Sequence, residues 1–435
     1  MVVLPSSFTG GPRYMHERTQ DAMTYVRHYG RPDLFITFTC NPKWPEITEL
    51  LRQGQKSHDR HDIVARVFNV KVKHMMKLLT VGSIFGKTKC HMYTFEWQKR
   101  GLPHVHILLW LEEKIRSESV DQIISAELPD PNLDPDLFEI IKSTMIHGPC
   151  GSFNSKSPCM VEGKCTKRYP KAFLKETVAG DDGYPQYRRR SPADGGMKIT
   201  LNGVEVDNRW VVPYNPVLSR TFKAHINVEY CNSVKSIKYI CNYLNKGSDQ
   251  AAFIVEDFDE VKKYQAKVRY ISSSEAVWRI LCFSIHDRFP SVMHLAVHLE
   301  NGQRVYFTEG NVIDKVVNQP KTTLMAFFEL CNCHNFAKTL LYFEVPAYYV
   351  WKNNHFERRK KGKDVPGYLG VKKDHVLGRV YTVHPGNAEC YYLRLLLHQI
   401  RGPVSFSALK TVDGVIQPTF QAACRALGLL EDDAN

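Results

Sequence analysis

The sequence predicts an α+β protein with a central antiparallel sheet and flanking helices, and three observations carry that expectation. Short runs rich in β-branched and aromatic residues, such as "LFITFT", alternate with longer segments of helical apolar spacing. Two strand-type runs, 89–98 and 104–111, are separated by "KRGLP", whose Gly and Pro punctuate a hairpin. Far downstream a strand-type run, "AHINVEYC", leads directly into a helical segment at 234–245.

The elements follow in order. Residues 13–30 form an amphipathic pattern that should stop at Gly30, before "RPD". "DLFITFTCNP" at 33–42 reads as a strand between Asp33 and Asn41-Pro42, and 45–53 as a short helix. A longer helix at 61–79 places Val64, Val67, Phe68, Val72, Met75 and Leu79 at helical spacing. "GSIFGKT" at 82–88 is one residue short of a phosphate-binding loop and precedes a strand rather than a helix. It would lack the helix N-terminus that holds phosphate, so no nucleotide site is expected there. Then come the two hairpin strands.

From Ser117 the composition shifts. "PDPNLDP" at 129–135 reads as a linker, and the segment after it is rich in Cys, Gly, Lys and Arg with weak periodicity. Order returns at "RWVVPYN", and the helix at 234–245 has Gly247 in the stop position. After Ser272 strands and helices mix: "HLAVHLENGQRVYF" reads as a hairpin about Asn301-Gly302, and 389–400 and 419–428 as helices. The expected organisation is an N-terminal half-domain at 1–115, a Cys/His-rich insert at 116–205, the second half-domain at 206–271, and a mixed α/β region at 272–435.

At 435 residues the chain exceeds one ordinary core. Hydrophobic content of 43% and charged content of 24% are those of a soluble globular protein, and no apolar run is long enough to span a bilayer. The start "MVVLPSSFTGG" has no signal-peptide pattern, so an intracellular, nuclear protein is expected, with cysteines as thiols or metal ligands. Lys plus Arg number 58 against 45 Asp plus Glu, a net charge of +13, which suits a polyanionic partner. "YRRR" and "ERRKKGK" supply candidate phosphate contacts: Arg188, Arg189, Arg190, Arg358, Arg359, Lys360 and Lys361. Aromatic residues at 11% supply stacking platforms for unpaired bases.

"EWQKRGLPHVHILLW" raises the sharpest question, because a strand projects alternate side chains to one face and therefore pairs His104 with His106. Glu96 and Gln98 share a face of the preceding strand. Two imidazole nitrogens and a carboxylate oxygen make a three-ligand divalent-cation site with positions open to substrate. The H-x-H pattern alone decides little, since 18 histidines in this length produce about one by chance. Its weight comes from strand placement, the carboxylate across the hairpin and a second constellation. Tyr239, Tyr243 and Lys246 lie on one face of the helix at 234–245 and its extension, at i, i+4 and i+7, while Ile237, Ile240 and Leu244 supply a separate apolar stripe. A phenol is a poor nucleophile near neutral pH, but a neighbouring Lys and a cation-bound phosphate favour the phenolate.

"HGPCGSFNSKSPCMVEGKC" sets His147, Cys150, Cys159 and Cys165 in an H-x2-C-x8-C-x5-C pattern suited to a closed tetrahedral Zn²⁺ site that orders a loop-rich segment. "CNCH" at 331–334 reads as a helix end without metal.

Taken together, "LFITFTCNP", "FEWQKRGLPHVHILLW" and "HINVEYCNSVKSIKYICNYLNKG" resemble the HUH endonuclease domain of Helitron rolling-circle transposases. The opening "LPSSFTGGPRYM" and the C-terminal "YYLRLLLHQIRGP" and "TFQAACRALGLLEDD" fit the same family, so the resemblance runs nearly the whole chain. A run similar to the cysteine cluster recurs in that family. The resemblance implies an HUH-like fold and His104 and His106 as metal ligands, with Glu96 as the favoured third ligand and Gln98 as the alternative. It implies Tyr239 and Tyr243 as nucleophiles, with Lys246 beside them. It also implies Mg²⁺ or Mn²⁺ as the catalytic cation and single-stranded DNA at a transposon end as substrate. No membrane and no small-molecule substrate enter this expectation. Full proteins of the family continue into an ATP-dependent helicase domain, and this chain is expected to stop about where that begins. Unwinding would then need a helicase in trans. Two other readings stay open: a single-strand DNA-binding remnant without chemistry, and a helicase-associated subunit.

Overall fold

The computed structural model describes residues 12–97, 102–180, 184–201, 203–231, 271–303 and 321–430. The chain divides into two compact units, Met1–Phe289 and Pro290–Asn435.

The first unit is α+β, with a central antiparallel sheet and flanking helices. Helix α1 (Pro12–Tyr29) precedes strand β1 (Leu34–Thr39), helix α2 (His61–Thr80), and the hairpin strands β2 (Thr88–Trp97) and β3 (Pro103–Leu111). Helices α3 (Pro135–Thr144) and α4 (Pro216–Phe222) then precede strand β4 (Ile226–Tyr230), and helix α5 (Ser273–Ile280) precedes β5 (His286–Phe289). Five strands pair in the order β4-β1-β3-β2-β5, each neighbour antiparallel. Gly30 ends α1 as expected: its φ of 75° is left-handed, and its N–H donates to the Val26 carbonyl at 2.9 Å.

Strand β3 is central, and every one of its residues is buried. Val105, Ile107, Leu109 and Leu111 join Leu34, Ile36 and Phe38 of β1 on one face of the sheet. Helix α2 covers that face with Val64, Phe68, Val72, Met75 and Leu79, an apolar stripe at the predicted spacing. The Phe68 ring lies 5.2 Å from that of Phe38 and 5.9 Å from that of Phe95, while Trp278 of α5 lies 4.3 Å from Phe95. On the other face Trp110 packs under Tyr25 of α1, and its indole N–H donates to the Gly30 carbonyl at 2.9 Å. Side-chain alternation puts His104 and His106 on this second face.

Between α3 and α4 run short hairpins and turns with a small apolar core of their own, including Val206, Trp210 and Cys150. Asp134 caps α3 by accepting from the Leu137 N–H at 3.2 Å. The "GSIFGKT" segment is a turn leading into β2, and Lys87 pairs with Glu112 at 2.8 Å.

In the second unit, β6 (Ser291–Leu295) pairs in parallel with β9 (Val376–Val380), and β7 (Tyr349–Lys352) forms a hairpin with β8 (His355–Arg358). Helices α6 (Thr323–Cys333) and α7 (Ala388–Leu396) supply much of the core, through Phe327, Leu330, Leu393 and Leu396. Of the hairpin expected about Asn301-Gly302, Asn301 is at positive φ and the Gly302 N–H donates to the Leu299 carbonyl at 2.9 Å, while the second arm beyond residue 303 lies outside the described residues. Residues 296–303 carry no strand, and β6 takes its partner from the distant β9. A tight turn lies at Asn353-Asn354, both at positive φ, as a two-residue hairpin loop requires. Among the described residues, no helix is long and apolar enough to cross a membrane.

Candidate metal centre

The hairpin register sets Glu96 directly opposite His104, and His106 is paired with Thr94 on one side and Thr37 on the other. Glu96, His104 and His106 therefore share the second face of the sheet. Both imidazole Nε2 atoms converge on one carboxylate oxygen: Glu96 Oε2 lies 3.1 Å from His104 and 3.0 Å from His106. The two rings stand 4.8 Å apart and perpendicular, so the nitrogens meet at a point rather than stacking. Both histidines are buried and Glu96 is nearly so.

Electrostatics keeps this group poised for a cation. Burial pushes the Glu96 carboxyl up, but its contacts with the two imidazoles outweigh that and bring it down to about 2. Burial pushes His106 below the usual histidine range, against the opposing pull of Glu96. The result is a charged carboxylate facing neutral nitrogen, the protonation pattern that metal ligation needs. The donor set of two nitrogens and one carboxylate oxygen fits a divalent cation with open positions.

Around the triad, Thr37 Oγ1 lies 3.0 Å from His106 Nδ1, and the Phe35 ring stacks on His106 at 5.4 Å and 10°. His104 Nδ1 is buried and has no hydrogen-bond partner among the described residues. Thr94 Oγ1 lies 2.6 Å from His286 Nδ1, so a polar row runs through Thr37, His106, Thr94 and His286 on four adjacent strands. Sequence reasoning missed Thr37, although a signal existed: in "LFITFT" it alternates with Leu34, Ile36 and Phe38, which marks it for the face opposite the core.

A second cluster forms within the insert. His147, Cys150, Cys159 and Cys165 bring their ligand atoms within 4.8 Å of one another. His147 Nε2 lies 3.6 Å from Cys165 Sγ, and the His147 ring stacks on Tyr169 at 4.2 Å. A two-residue hairpin, Met160–Val161 with Lys164–Cys165, carries the last ligand back to the third. Burial and the neighbouring thiols push Cys150 up, to about 12. Burial also works against the Cys165 thiolate, but N–H groups of Tyr169 and Lys167 hold that thiol below its usual range. Three sulfurs and one imidazole fit a closed tetrahedral metal.

Other expected residues fall differently. Tyr239, Tyr243 and Lys246 lie outside the described residues, as does Gln98. Arg189 is corrected as a phosphate contact: it is 3% exposed, and its Nη1 lies within 3.2 Å of the carbonyls of Ala126, Asn208 and Val211. Arg190 forks onto Glu127 at 2.7 Å, with Arg188 nearby at 3.4 Å. Arg359 is also committed internally, to the Pro346 carbonyl and to Asp374 at 3.1 Å. Arg358, Lys360 and Lys361 are exposed, and Arg358 reaches His334 Nδ1 at 3.2 Å.

A mixed α+β domain with a histidine-carboxylate centre on a sheet face is thus the class that fold and site define. Residues 1–109 match the family model described as the Helitron helicase-like domain at the N-terminus, so this stretch is similar to that domain. The matched span holds Glu96, His104 and His106. None of the curated proteins compared matches the chain.

Proposed function

We propose that this protein is a Helitron-type rolling-circle transposase endonuclease: it cuts and rejoins single-stranded DNA through a 5′-phosphotyrosine intermediate on an HUH-like sheet. The observation that carries this reading is the meeting of His104 Nε2 and His106 Nε2 at one oxygen of Glu96. Those three residues would hold Mg²⁺ or Mn²⁺. The cation supplies charge stabilisation at the phosphoryl oxygens of the scissile phosphate.

Tyr239 and Tyr243 are the nucleophiles, and Lys246 favours the phenolate. The phenolic oxygen forms a bond to phosphorus, the bond to the 3′-oxygen breaks, and the proton lost by the phenol is matched by one gained at that oxygen. The linkage retains the phosphodiester energy, so a 3′-hydroxyl can reverse the step and rejoin the strand without ATP. Two tyrosines allow two strands to be held in succession. Zn²⁺ at His147, Cys150, Cys159 and Cys165 orders the insert. The protein acts on transposon ends in the nucleus.

The test is a 3′-fluorescein-labelled pool of single-stranded oligonucleotides incubated with the chain and Mn²⁺. A labelled covalent adduct, lost in the Tyr239→Phe, Tyr243→Phe double variant and in His106→Ala, supports the reading. Binding without any adduct in the wild type overturns it in favour of a non-catalytic DNA-binding protein.

A further inference from the structure

We infer that Thr37 is a positioning residue for the metal centre, its hydroxyl holding His106 with Nε2 turned to the cation; this rests on the function proposed above. Thr37 sits on the strand beside β3, in register with His106, and its Oγ1 lies 3.0 Å from Nδ1 while Nε2 lies 3.0 Å from Glu96 Oε2. The Phe35 ring, stacked at 10° on the imidazole, restrains the same ring from a second direction.

A hydroxyl is the one small group suited to both states of this site, because it donates and accepts. With no cation bound, Nε2–H of a neutral His106 donates to Glu96, and the Thr37 hydroxyl donates to Nδ1. With Nε2 turned to a cation, the ring proton would reside on Nδ1 and donate to Thr37 Oγ1. The imidazole gains and loses one proton between its two nitrogens, so charge balances. The hydrogen bond survives the exchange with its direction reversed. His104 has no such support, since its Nδ1 is buried without a partner among the described residues. The Thr37–His106 contact therefore orients one imidazole of the pair at Nδ1, and Glu96 Oε2 ties both rings at Nε2. Partners of this kind typically alter metal affinity by about 10–100-fold.

The experiment compares wild type, Thr37→Val and Thr37→Ser in the full chain. Valine keeps the β-branched shape and removes the hydroxyl; serine keeps the hydroxyl. Mn²⁺ affinity is measured by titration calorimetry, and the histidine tautomers are read from ¹⁵N chemical shifts with and without Mg²⁺. The expected result is a loss of at least about tenfold in Mn²⁺ affinity for Thr37→Val, near-normal affinity for Thr37→Ser, and a move of the His106 ring proton to Nδ1 on adding Mg²⁺ to the wild type. Wild-type affinity in Thr37→Val, with His106→Ala still abolishing binding, overturns the role of Thr37 and leaves the metal centre standing. Absence of any His106-dependent Mn²⁺ binding in the wild type overturns both.

Discussion

Asp33 and Lys114 join the entry of β1 to the exit of β3 through an ion pair of 2.8 Å whose carboxylate is fully buried. Asp33 also accepts from the Leu111 N–H at 2.8 Å and the Ile115 N–H at 3.3 Å, and Lys114 reaches the Arg31 carbonyl at 2.7 Å. One side chain thus closes the end of the central strand pair opposite the metal centre. Removing it strands two buried N–H groups and an ammonium. Asp33→Ala is expected to cost about 3 kcal/mol of stability in urea unfolding. Lys114→Met is expected to cost less, because Asp33 keeps both backbone donors.

Acid is expected to weaken the metal-free protein through the triad. Glu96 and His106 both have native pKa values below their ordinary ones, so the unfolded chain binds more protons as pH falls. Their contribution is present at neutral pH. It is lost first below the ordinary histidine range, as His106 protonates, and then between about 4.5 and about 2, as Glu96 does. The Glu96 part is on the order of 3 kcal/mol. Urea unfolding in EDTA at a series of pH values measures it, and Glu96→Gln should flatten the profile in the lower window. An unchanged profile in that variant would assign the acid sensitivity elsewhere.

What could be read from the chain follows from which features are local. The parity of His104 and His106 and the hairpin that faces Glu96 to them depend on a few consecutive residues, and the structure has both. The partner of His106 on β1 is set by tertiary pairing across some seventy intervening positions, where alternation names a face but not a neighbour. The same limit hid β5, which comes from 286–289 to complete the sheet, and the parallel pairing of β6 with β9. Arg189 shows another limit. A run of three arginines reads as surface charge, yet the middle one turns inward to carbonyl groups that the run itself does not contain. The cysteine ligands gather despite irregular spacing because one two-residue hairpin brings Cys165 back beside Cys159.

Zinc in the insert is expected to be separable from the cation at the triad. The purified chain should carry one zinc equivalent by elemental analysis, and Cys159→Ser should lower it while Glu96→Ala should not. Chelation should expose insert amides to hydrogen exchange, since the hairpin at 160–165 and the small core around Val206 and Trp210 are organised about the cluster. Protection in β1 and β3 should persist, because that core is built by α2. Insert protection that is indifferent to chelation would mean the four residues need no metal.

The two basic runs should separate by salt dependence. Arg189→Met removes the buried guanidinium whose Nη1 meets three carbonyls and leaves those acceptors without that donor. It is expected to destabilise the fold by about 3 kcal/mol. The dependence of single-strand DNA affinity on salt should stay unchanged in molecules that remain folded, because a buried guanidinium releases no counterion from DNA. Lys360 and Lys361 are exposed at the end of the β7–β8 hairpin. Replacing both with Gln should leave stability near wild type. If each meets a phosphate, the slope of log K against log salt should become shallower by about 1.4. A slope that moves with Arg189 and not with the lysines would reverse the assignment and place the DNA path over the insert.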